Sequence, residues 1–138
     1  MTGMMPGFCA LIGAATLGAC SNNEVPLAQA RADEPQELMT ALCEARDEAG
    51  RDPSAAEKIF FDRAHGPLHD LANDTAELDR EAAARLVEAK QAEEADFDGA
   101  SSIGALRSDL DALIDSTVRT LEATSGAAPD CSQGSDNG

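Results

Sequence analysis

The stretch "PLHDLANDTAELDREAAARLVEAKQAEEA", residues 67–95, decides the fold class of this chain. Its apolar and small positions run Leu68, Leu71, Thr75, Leu78, Ala82, Leu86 and Ala89, in steps of three and four. That is the period of one face of an α-helix; a strand would alternate every second residue. The residues between them are mostly Ala, Glu, Arg and Lys, which favour helix. The spacing predicts one long helix over 67–95 with a charged outer face.

The same period extends in both directions. Upstream, Asp52 and Pro53 form a start signal, and Ala56, Ile59, Phe60 and Ala64 follow on one side. "HGP" at 65–67 interrupts that segment. Pro67 removes a hydrogen bond and clashes with the preceding turn, so the chain either kinks there or restarts with Pro67 in a new first turn. Further upstream, Asp33 followed by "EPQ" predicts another start, with Leu38, Leu42, Ala45 and Ala49 on the stripe and Gly50 at the end. Downstream, "FDGASS" at 97–102 reads as a turn, with Ser101 or Ser102 capping a last helix. Its stripe is Ile103, Leu106, Leu110, Leu113, Thr117 and Leu121, and the chain turns irregular after Gly126. The expected fold is all-α: a small antiparallel bundle of about four helices over 34–124, with a tail at 125–138 that carries Cys131.

Composition tempers that expectation. From Cys20 on, Leu, Ile, Val and Phe make up 20 of 119 residues, about 17%, a thin core for a chain of net charge −16. Alanine-rich helices offset this by packing closely. The charge excludes nucleic acid as a partner and repels anionic headgroups. With no Trp or Tyr, and only Phe60, Phe61 and Phe97 beyond Cys20, there is no platform for stacking bases.

The first 19 residues carry no charged side chain at all. Residues 8–19, "FCALIGAATLGA", form an apolar run of signal-peptide size, too short to span a bilayer. It ends in "LGAC", residues 17–20, and polar chain begins at once. "LGAC" resembles the bacterial lipobox: Leu, a small residue, Gly or Ala, then Cys. In proteins with that motif the cysteine thiol is joined to diacylglycerol, and the peptide is cut just before it. The n-region "MTGMMPG" departs from the pattern, lacking the Lys or Arg such signals normally carry. The resemblance implies a signal peptide at 1–19, lipid attachment at Cys20, and an exported chain anchored to a membrane, facing the outside or the periplasm. Residues 20–33 would then be a lipidated flexible tether. A weaker resemblance, carried by "AEKIFFDRAHGPLHDLA", is to small helical lipoproteins of high-GC bacteria; it implies no activity.

With Cys9 discarded and Cys20 acylated on that reading, Cys43 and Cys131 remain. An even pair in a compartment where thiols oxidise is expected to form a disulfide.

The residues with most chemical potential are the only two histidines, His65 and His69. On an unbroken helix they share a face with Asp62, and neutral imidazoles with a carboxylate could hold Zn²⁺ or Cu²⁺. The zincin pattern fails, because Gly66 stands where its glutamate is needed. More often, histidines beside a proline kink are structural. The run "EEADFD" at 93–98 lacks the glycine and alternating spacing of a calcium loop and reads as a solvated helix end. The expectation is a non-enzymatic, lipid-anchored domain that binds an unknown protein partner or serves the envelope. The alternative is a metal-binding lipoprotein using His65, His69 and Asp62.

Overall fold

A computed structural model describes residues 27–99 and 101–132, with side chains from residue 34. The expected signal peptide and Cys20 lie outside the described residues. All regular structure among the described residues is helical: α1 (Leu27–Ala49), α2 (Pro53–Ile59), a π-helical turn (Phe60–Ala64), α3 (His65–Ala76), α4 (Arg80–Asp98) and α5 (Ile103–Ser125). Because α2, the π turn and α3 form one continuous bent rod, the protein is a four-rod all-α bundle.

Each boundary has a local cause. The Asp52 carboxylate accepts hydrogen bonds from the Ser54 and Ala55 amides at 3.1 Å and starts α2. The Ser102 hydroxyl accepts from the Ala105 amide at 3.2 Å and starts α5. Gly126 ends α5 at φ 79°, a left-handed conformation that glycine adopts without the Cβ clash, and its amide donates to the Glu122 carbonyl.

One expectation about the rods is corrected, and the alternative left open at "HGP" is decided in favour of a kink. The long helix over 67–95 is broken. Its chain turns at 77–79, where the Leu78 and Asp79 amides both donate to the Thr75 carbonyl, and Asp79 caps α4 by accepting from the Ala82 amide at 2.9 Å. An unbroken rod could not fold back on itself, whereas the turn lets α3 pack along α4. Leu78, expected on the buried stripe, is 75% exposed at this turn. Conversely, "HGP" does not end a helix. The His65 amide reaches five residues back to the Phe60 carbonyl, which defines the π turn. Pro67 offers no amide to the Arg63 carbonyl and its ring crowds it, and a wider turn accommodates both facts. The bend has a packing consequence: α2 lies against α1, and α3 leans away from α1 onto α4.

At the N-terminal side, α1 begins at Leu27, before the expected start at Asp33. The second half of the expected tether is therefore helical, and Pro35 lies inside a helix rather than in its first turn. "LAQARA" consists largely of good helix formers, which favours the extension. Pro35 opposes it, at about 3 kcal/mol for an interior position.

The core lies between the four rods. Leu38, Met39 and Leu42 from α1 meet Phe60, Leu68, Leu86, Leu113 and Leu121. A smaller apolar group joins Ala45, Ala49 and Ala56 to Leu106 and Leu110 near the first turn of the bundle. Small side chains at these crossings let the helices approach closely, so few large residues suffice. Cys43 and Cys131 are disulfide-bonded with Cα atoms 5.6 Å apart, within the range a disulfide requires. The bond pins the tail across α1, and Ala128 packs on the core beside it.

Candidate functional site

The bend in the rod gathers most of the unusual chemistry of the domain. A π turn has more residues per turn than an α-helix, so it presents Phe60, Phe61 and His65 together toward α4. Phe60 is fully buried, with its ring centroid 5.1 Å from Phe61 and 5.5 Å from Phe97 of α4. Phe61 is half exposed and lies 5.5 Å from the His65 ring. His65 and His69 meet edge to face at 4.8 Å. Thus all three aromatic residues beyond Cys20 and both histidines form one cluster.

His65 is held from α4. Its Nε2 lies 2.8 Å from Glu94 Oε1, and the same oxygen accepts from Lys90 Nζ at 2.6 Å. Lys90 is almost wholly buried, so its ammonium depends on this carboxylate. Burial by itself would raise the Glu94 pKa. The hydrogen bonds and positive charge supplied by Lys90 and His65 outweigh that and hold the carboxyl below its ordinary value.

The expected metal trio is not assembled. Asp62 pairs with Lys58 one turn back on its own rod. The wide turn between Asp62 and His65 takes the carboxylate out of the register an unbroken α-helix would give it. His65 is engaged with Glu94, and His69 meets the His65 ring edge to face. Among the described residues, no three His, Cys, Asp or Glu side chains are grouped so as to hold a metal ion.

A second cluster lies where α4 faces α5. Glu93 is fully buried and neither carboxyl oxygen has a hydrogen-bond partner. Burial, then the charges of Asp96 and Asp109, push its pKa from 4.5 up to about 8. Asp96 accepts from the Ser101 hydroxyl at 2.7 Å through one oxygen, and its other oxygen is buried without a partner. Asp109 on α5 is also pushed up, by burial first and then by Asp96 beside it. Burial without partners thus favours the neutral form of Glu93, which is part of the core rather than of a solvated helix end.

The reading of "EEADFD" as solvated is thus corrected at Glu93. A signal for this was present. Leu86, Lys90, Glu93 and Phe97 continue the apolar stripe of α4 at steps of four, three and four, so two charged residues stand on the core-facing side.

The fold and the disulfide together define a small, disulfide-linked, acidic helical bundle. No protein-family model matches the chain, and no curated protein or solved structure does.

Proposed function

We propose that this chain is an exported lipoprotein. Its signal peptide, residues 1–19, is removed, Cys20 carries the lipid, and the helical domain works by binding a protein partner at the membrane face. The observation that carries the reading is the pairing of Cys43 and Cys131. Stable disulfides belong to oxidising compartments, and an exported chain reaches one. The "LGAC" motif at 17–20 supports the same destination independently. Two acyl chains on one residue would anchor the domain firmly, at about 0.8 kcal/mol per buried CH₂. No helix among the described residues is long and apolar enough to cross a membrane. The net charge of −16 would keep the domain off an anionic bilayer while it remained tethered.

The test is Cys20→Ser in cells fed a labelled fatty acid. Label and membrane association should both be lost. A variant that still sediments with membranes at its processed size would refute the reading.

A further inference from the structure

A groove of about 320 Å³ opens between α1, α3 and the last turn of α5. Its floor is apolar, made by Leu38, Leu71 and Leu121, and the exposed Leu78 forms its lip. Its rim is acidic, carrying Glu34, Glu37, Asp70 and Asp74. None of these four carboxylates joins an ion pair among the described residues. Among the described residues the one cation in the lining, Arg63, is paired with Glu44.

Backbone electrostatics have the same sign. α3 and α5 both end at this groove, and neither has a basic residue in its last turn. Each helix C-terminus adds roughly half a negative charge, which nothing in those turns offsets. The groove thus couples an apolar floor to a negative field that no ion pair offsets at these four carboxylates among the described residues.

We propose that this groove receives an arginine flanked by apolar residues, presented by an extended segment of a partner polypeptide. The dimensions favour a peptide. From Pro67 to Thr75 the groove follows α3 for about 12 Å, and Leu78 in the turn beyond closes its end, which gives the reach of about four extended residues at about 3.3 Å each. The chemistry favours arginine: its guanidinium is weakly hydrated, rests on apolar surface and bonds carboxylates in a fork. Asp70 and Asp74, one turn apart on α3, are the natural pair for it, and the flanking apolar residues cover Leu71 and Leu78. A physiological partner for this groove rests on the protein-binding reading above, but the chemistry of the groove is measurable without it.

The experiment uses the purified chain and a labelled pentapeptide with arginine between leucines. The same peptide with citrulline, the neutral isostere of arginine, is the comparison. Binding is followed by anisotropy, and its place by amide shifts in nuclear magnetic resonance. The arginine peptide should bind at least tenfold more tightly than the citrulline peptide, and weaken with added salt. Shifts should centre on Leu71, Thr75, Leu78 and Thr124. Asp70→Asn with Asp74→Asn should cost at least tenfold in affinity; both positions are exposed, so the fold is preserved. Glu88→Gln with Asp115→Asn removes the same charge from a different cleft and should change affinity less than twofold. Equal binding of the citrulline peptide, equal losses in the two double variants, shifts elsewhere, or no binding at millimolar peptide would each overturn the proposal. Failure here leaves lipid anchoring at Cys20 untouched, and failure of Cys20→Ser to release the chain leaves the groove result untouched.

Discussion

Replacing Glu93 with Gln should make the protein more stable at pH 8 and remove most of its pH dependence above pH 5. The folded state holds the Glu93 proton more tightly than the unfolded state does, because burial and two neighbouring carboxylates penalise the anion. Between the ordinary pKa of 4.5 and the folded value of about 8, the unfolded chain binds fewer protons than the folded one. Stability must therefore fall as pH rises through that window, and level off on either side of it. At about 1.4 kcal/mol per pKa unit, the full span corresponds to a ceiling of about 5 kcal/mol. Local relaxation and water entry reduce that, and a fall of about 2–3 kcal/mol between pH 5 and pH 8 is expected. Asp109, also pushed up, contributes in the same direction. Glu94 has the opposite sign: its pKa is lowered, so its stabilisation is lost only as pH falls below the ordinary carboxyl range. The two effects occupy separate pH windows. The assay is urea unfolding of both proteins at pH 5, 6.5 and 8, with stability read from the midpoint at constant slope. The Gln variant keeps the shape of the side chain but cannot ionise. If wild-type stability rises from pH 5 to 8, or if both proteins lose stability in parallel, Glu93 is not a buried neutral acid.

Two further outcomes follow from the geometry. Cys43→Ser with Cys131→Ser opens a loop spanning 88 residues and should cost about 4–5 kcal/mol in the chain-entropy account, a drop in Tm of about 15 °C or more in a thermal scan. Gly66 is helical, and a Cβ there would meet nothing within 4 Å, so Gly66→Ala should raise stability by about 0.5–1 kcal/mol in the same urea titration.

Much of the fold was legible in local sequence. The caps at Asp52 and Ser102, the stop at Gly126, and the core positions Leu38, Leu42, Leu106, Leu110, Leu113 and Leu121 all stand where periodicity and capping chemistry put them. The cysteine pair was legible by counting, once the N-terminal resemblance had set Cys9 and Cys20 aside. The candidate site was less so. Asp62, His65 and His69 were grouped by the arithmetic of a regular α-helix, and that arithmetic fails across a π turn.

The sequence alone thus determined helix, amphipathic faces and several ends, because these depend on residues within one or two turns of each other. Tertiary structure decided the rest. Asp79 could have been one more exposed residue in a long helix; it became a cap because α3 gains more by folding onto α4 than by continuing past it. Glu93 and Lys90 carry ordinary charged side chains on a stripe that was otherwise apolar. Whether they are solvated or buried depends on how closely α5 and the bent rod approach α4. That distance is set by Leu, Phe and Ala contacts between residues far apart in the chain, which no local pattern records.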